Sequence, residues 1–345
     1  MRKRSKSRTW LSIVFLLLLL LALVASRHCR DILRRRPERE QRGGRISTRE
    51  VPEEIRIVLA GDIMLSRAVA TRMIGARDWD LPFRNMEDFL RSADLNFGNL
   101  ESPFSGAEGF HATKSLVFNA PPESVKGLED YGFRVVSLAN NHALDQGVRG
   151  LTYTRKHLEE HHIQTVGAGQ TQEEAWRPAI LEIKNTRIGF LAASYASFND
   201  AGRAMNPYIA RTDDLERLKA AISNLRSQGA FIIVSMHAGQ EYTAKPGDGQ
   251  IRFAHAAIDA GAAVVVGHHP HWTQPFERYK GGLIFYSLGN FVFDQGFSKN
   301  TREGMAVRLH IRGQRLLSAD LQPVAIQHFC CPQPAGNEAP QIVRP

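Results

Sequence analysis

At 345 residues, 43 % of them hydrophobic, the chain is long enough to bury one large core or two ordinary ones. Its net charge of +9 belongs to one end: residues 1–50 hold 14 Lys and Arg against 4 Asp and Glu, which leaves 30 against 31 for residues 51–345. A folded part so close to neutral offers no basic footprint, so no nucleic-acid partner is expected, and Cys29, Cys330 and Cys331 make no disulfide framework.

Five Lys and Arg open the chain, and an uncharged run of 18 residues follows from Thr9 to Ser26, at the short end of what spans a bilayer as a helix. Val24 and Ser26 offer the small residues that signal cleavage needs, whereas Arg27, Arg30 and Arg34 to Arg36 crowd the exit side. Residues 1–26 are therefore expected to be an uncleaved single-pass anchor in the cytoplasmic membrane, with the bulk of the chain on the extracytoplasmic side, or exported if the segment is cleaved. Residues 27–50 are polar, basic and without apolar periodicity, as a tether would be.

From Val51 the pattern changes. Apolar runs at 55–61, 94–101, 133–139, 187–193, 231–236, 262–267 and 282–289 predict strands, and residues 304–324 predict a β-hairpin turning at Gly313. Helical stretches at 85–92, 123–131, 149–161, 213–228 and 250–260 fall between the strands, the fourth opened by Asp213 and Asp214 at the positive end of its dipole. Such alternation predicts an α/β fold. One domain over 51–328 is expected, with a Pro-rich tail at 329–345 in which Cys330 and Cys331 are surface thiols or a partner contact.

In α/β folds, ligand chemistry collects at the carboxyl ends of strands. There the sequence places Asp62, then Asn99 and Glu101, then Asn140, Asn141, His142 and Asp145, then His237 with Glu241, then His268, His269 and His271. Taken singly, each has an ordinary structural explanation: Asp62 and Asn140 as cap or turn residues, Glu101 as a strand end, His237 as an interior histidine. Carboxylate, amide oxygen and imidazole at five successive strand ends are instead the donor set of a divalent transition-metal site. His111, His157, His161, His162, His255, His310 and His328 belong to no such pattern, no phosphate-binding loop is present, and no nucleophile elbow supports a serine hydrolase.

The stretches GDIML, NLESP, SLANNHALDQG, HAGQEY, GHHPHWTQPFE and YSLGNFVFD, in this order, resemble the CapA family of capsule-synthesis proteins, named for poly-γ-glutamate capsule biogenesis and similar to the calcineurin-like metallophosphoesterases. The resemblance implies two mixed β-sheets flanked by helices and a site for two divalent ions, Mn, Fe or Zn. It implies Asp62 and His271 as ligands of the first ion, Asn141 and His269 as ligands of the second, His237 as the isolated histidine ligand of the fourth motif, Glu101 bridging, and His142 as general acid. Asp145 stands three residues after His142 and is placed to orient it. Asn99, Asn140, Glu241, His268, Asn290 and Asp294 are expected to line the same mouth. Where that superfamily has Asp-x-His, this chain has Asp62, Ile63 and Met64, so one nitrogen ligand is missing, and Glu101 is one methylene longer than the usual aspartate.

Two functions fit these residues. One is a membrane-anchored, metal-dependent hydrolase or transferase acting on an anionic envelope polymer or its phosphoester-linked precursor. The other is an accessory subunit that binds the nascent polymer, or the membrane synthase and export subunits, and helps it out of the cell.

Overall fold

The computed structural model describes residues 52–106, 117–195, 206–336 and 340–345, so the expected anchor, the tether and His111 lie outside the described residues. Among the described residues, no helix is long and apolar enough to cross a membrane. Fifteen strands form two mixed sheets among these residues.

The larger sheet is organised by β1 (Glu54–Ile63), buried without interruption from Ile57 to Ile63, as a central strand covered on both faces should be. β1 pairs in parallel with β2 (Leu95–Leu100), and β3 (Phe133–Ser137) and β4 (Gln164–Val166) continue the parallel set. On its other side β1 meets β12 (Glu303–Arg312) antiparallel; beyond that contact β11 (Asn290–Val292) pairs with it in parallel, placing Asn290 opposite Asp62. β12 turns back at Gly313 (φ 57°) into β13 (Arg315–Gln327), the hairpin the sequence predicts. The smaller sheet runs β5 (Ala179–Ile183), β6 (Thr186–Ser194), β7 (Phe231–His237), β8 (Val264–His268), β10 (Gly282–Phe285) and β9 (Phe276–Tyr279), with β6, β7, β8 and β10 parallel.

The sheets face each other across a core in which Phe97 of β2 stacks on Phe190 of β6, ring centroids 5.2 Å apart. The helices are α1 (Arg67–Ala76), α2 (Glu87–Arg91), α3 (Val125–Asp130), α4 (Gly147–Glu160), α5 (Gln172–Ala175), α6 (Leu215–Ser227) and α7 (Asp248–Ala260). On α6, Leu218, Ile222 and Leu225 fall on one face and pack with Phe253 and Ala257 of α7 over the outer side of the smaller sheet. Each of these Leu, Ile and Phe side chains is worth about 1.5–3 kcal/mol when buried. The Asp214 side chain caps α6 by accepting the Arg217 N–H at 3.1 Å, which is the use its position suggests.

The expected tail is corrected. β14 (Cys331–Pro334) and β15 (Gln341–Val343) both pair antiparallel with β13, so the domain runs past 328 and residues 329–345 add strands to the sheet. Pro332 and Pro334 are tolerated because β14 is an edge strand, where missing N–H donors cost little. Cys330 and Cys331 are bonded to each other and buried rather than being surface thiols.

Candidate metal centre

Asp62, the ninth residue of β1, is fully buried. Its Oδ1 accepts from Asn99 Nδ2 at 2.8 Å, and its Oδ2 accepts the His269 backbone N–H at 3.3 Å and lies 3.6 Å from His271 Nδ1. Glu101, just past β2, is also fully buried; its Oε1 stands 3.9 Å from His271 Nε2 and 4.0 Å from His142 Nε2. His237 ends β7, with Nε2 2.7 Å from Asn141 Oδ1 and Nδ1 3.2 Å from Asn99 Nδ2. One ligand atom each from Asp62, Glu101 and His237 lies within 4.8 Å of the others.

The turn after β8 supplies the remaining imidazoles. His269 (φ 97°) and His271 (φ 57°) both hold left-handed backbone around Pro270, a strain of order 1–3 kcal/mol each of the kind that concentrates at functional sites. The turn carries the His269 ring to 4.8 Å from the His237 ring, while His271 Nδ1 meets Asn290 Oδ1 at 2.9 Å. His268 points back between the sheets, its Nδ1 3.3 Å from Asp62 Oδ1 but out of line for a hydrogen bond.

The loop after β3 builds the other wall. His142 Nδ1 lies 2.7 Å from Asp145 Oδ2, which also accepts the Phe118 N–H at 2.6 Å. The Phe118 ring stacks on the imidazole with centroids 3.9 Å apart. Asn140 fixes the loop from below: its Nδ2 donates to Leu100 O (2.8 Å) and Asn99 Oδ1 (3.1 Å), and its Oδ1 accepts the His142 N–H at 3.0 Å.

Burial sets the electrostatics. It pushes the Glu101 carboxyl well above the usual carboxylate range, with the charges of Asp62, Glu241 and Asp145 adding to the rise. Burial also pushes Asp62 upward, but His268, His271 and the Asn99 amide outweigh it and leave Asp62 lowered. It holds His237 well below its ordinary value and His269 at about 3, so both imidazoles are neutral, with lone pairs available. Glu101 Oε1 and His269 Nδ1 are buried with no hydrogen-bond partner. A buried carboxylate oxygen and a buried imidazole nitrogen without hydrogen-bond partners are the donor types that divalent cations take up.

Thus Asp62, Glu101, Asn141, His142, His237, His269 and His271 come together, with Asn99, Asn140, Asp145, His268 and Asn290 supporting them. Glu241 is exposed and reaches a cavity of about 700 Å³ that opens onto His142 and His271. Asp294 does not reach the ligands. It pairs with Arg67 and accepts the Ala68 N–H at 3.1 Å, tying the start of α1 to the rim of this cavity. Met64 turns its sulfur to the Ser66 N–H (3.1 Å) and supplies nothing to the cluster. Phe118, Arg67 and Tyr195, whose ring lies 4.6 Å from that of His269, belong to the site without any signal in the sequence.

Residues 56–295 match the family described as bacterial capsule synthesis protein PGA_cap. The chain is 34 % identical over 286 residues to the capsule biosynthesis protein CapA of Bacillus anthracis, covering 80 % of this chain and 68 % of that one. It is 35 % identical over 286 residues to the PGA biosynthesis protein CapA of Bacillus subtilis, covering 81 % and 73 %. Among solved structures, the calcineurin-like phosphoesterase YfkN of Bacillus subtilis aligns with a TM-score of 0.48 at 13 % identity, over 85 % of this chain and 91 % of that one.

Proposed function

The chain belongs to the bacterial capsule synthesis protein family, and on that premise we propose that it serves the assembly of an anionic capsule or envelope polymer of the poly-γ-glutamate type through a metallophosphoesterase-like, metal-dependent hydrolase site. The observation that carries this reading is the meeting of Asp62, Glu101 and His237 with Asn141, His269 and His271 at the carboxyl ends of strands from both sheets. Residues 1–26 would hold the domain at the outer face of the cytoplasmic membrane, within reach of a polymer synthase or export subunit.

These six residues would hold one or two divalent ions of the Mn, Fe or Zn class. A bound ion supplies Lewis acidity, making a water acidic enough to ionise near neutral pH and offsetting charge on the attacked group. The chain's own residues do the rest. His142 Nε2 faces Glu101 and the cavity, placed to hand its proton to the departing oxygen of a phosphoester or polymer link. Asp145 holds the imidazole by Nδ1, and the Phe118 ring fixes its plane. Asn290 orients His271 from behind.

A second reading rests on Met64. With its sulfur committed to the backbone, one side of the cluster lacks the nitrogen ligand that its resemblance to the metallophosphoesterases calls for, and a polymer-binding accessory subunit needs no turnover. Metal analysis by plasma mass spectrometry separates the two: the full chain is purified in detergent without chelator beside His269→Ala and His271→Ala. About two ions per chain, lost in the variants, are expected of the hydrolase. A chain that takes up no Mn, Fe or Zn, even after reconstitution, overturns it in favour of the accessory subunit.

A further inference from the structure

Away from the metal centre, a cavity of about 800 Å³ runs beside β4, lined by Arg134 of β3, Arg155 and Lys156 of α4, and Arg177 ahead of β5, against Glu159 and Glu174. Arg155 spends part of its charge on Glu174 at 3.1 Å, and Lys156 lies 3.7 Å from Glu160. Arg134 and Arg177 are exposed; neither closes an ion pair of 4 Å or less among the described residues, and the charge of Arg177 acts on Glu174 from farther off. Four cations against Glu159, Glu174 and the neighbouring Glu160 leave this cavity a small local positive excess on a folded part that is nearly neutral as a whole. Concave surfaces of one sign focus potential and capture chains of the opposite sign. The cations come from separate stretches of sequence, so no basic run announces them.

We propose that this cleft is a second binding site of the protein, which holds an extended polycarboxylate chain by its carboxylates. The inference rests on the anionic-polymer reading above. Arginine presents a planar fork that matches a carboxylate with two parallel hydrogen bonds, and the exposed guanidinium groups of Arg134 and Arg177 are held in no such pairing. No Phe, Tyr or Trp lines the cleft among the described residues, and His162 is its one ring, so it lacks the row of aromatic platforms on which successive nucleic-acid bases stack. The cleft is joined to the metal centre by one rigid element. α4 begins two residues after Asp145, and Arg155 stands eight residues along it, about 12 Å at 1.5 Å per residue. A polymer held at Arg134 and Arg177 is thereby kept near the centre between encounters with it.

The test uses the full chain in detergent and fluorescein-labelled poly-γ-glutamate of uniform length, read by anisotropy across a salt series. Binding that weakens with salt is expected, and the paired change Arg134→Glu with Arg177→Glu should weaken it by about tenfold or more, by reversing two charges in one groove. The milder pair Arg134→Gln with Arg177→Gln decides the matter if the first pair melts early. Both pairs should keep the wild-type metal content, so their failure to bind speaks to the cleft alone, while metal loss in His269→Ala speaks to the centre alone. The inference is overturned if both pairs bind like wild type, if the wild-type chain binds no polycarboxylate, if neutral dextran binds as tightly, or if single-stranded DNA binds more tightly.

Discussion

Glu101 and His269 are both fully enclosed, and enclosure moves them in opposite directions, Glu101 upward and His269 down to about 3. In metal-free protein, the Glu101 contribution to stability is full below the ordinary carboxylate value and is lost as pH rises through the raised folded value. His237 and His269 contribute fully above about pH 6.5, and that contribution is lost as pH falls toward their lowered folded values. Melting of chelated protein across pH should therefore fall on both flanks. Glu101→Gln should flatten the alkaline flank and raise the melting temperature at pH 8 by about 2–4 °C for each kcal/mol relieved. The same variant should no longer be stabilised by added Mn or Zn. A chelated Glu101→Gln chain that melts below wild type at pH 8 would show that Glu101 is satisfied by something other than a cation. Asp145 offers a cleaner separation of roles, because it touches His142 and the Phe118 amide but none of the metal-ligand candidates. Asp145→Asn should keep metal content while turnover drops about 10²–10⁴-fold, the usual worth of a positioned acid; equal turnover would remove His142 from the chemistry.

Among elements, the contact between β1 and β11 controls the site from behind. A Cβ on Gly61 would fall 2.1 Å from Gly289 O, so Gly61→Ala must push β11, with Asn290 and its hold on His271, away from Asp62. A loss of about 1–3 kcal/mol is expected by calorimetry, together with weaker metal retention. Gly75→Ala, in α1 where a Cβ meets nothing within 4 Å, is the matched control and should stabilise by up to about 1 kcal/mol. The same elements show what the sequence could and could not disclose. The seven apolar runs were legible because each is buried over enough residues to carry a pattern, and the ligand candidates at five of their ends were legible because strand ends collect ligands. β11, β14 and β15 were not, since three or four residues carry no period and are strands only through partners far along the chain. α1 was hidden for a related reason: its N-cap Ser66 makes no side-chain cap bond, and the start of the helix is pinned by Asp294, more than two hundred residues away. Phe118 and Tyr195 reach the site only through tertiary packing, so no local signal marks them.

For the whole molecule, folding and metal uptake should be one equilibrium, because the ligand candidates come from both sheets and only the folded chain brings them together. Adding chelator should lower the melting temperature of the metal-loaded chain, and ion at a hundred times its dissociation constant should restore about 2.7 kcal/mol. A melting temperature indifferent to chelator would mean that the centre is held rigid by its hydrogen bonds alone. β1 adds a consequence of another kind. It receives the chain at Glu54 and presents Asp62 eight residues later, a distance of roughly 26 Å at 3.3 Å per residue. The chain thus enters the larger sheet at the end of its central strand that lies away from the metal-ligand candidates. Changes made ahead of β1 should therefore reach the centre only through the sheet itself. Replacing residues 1–51 by an unrelated soluble tag should leave metal content and turnover unchanged, and loss of either would show that the centre draws on residues ahead of β1.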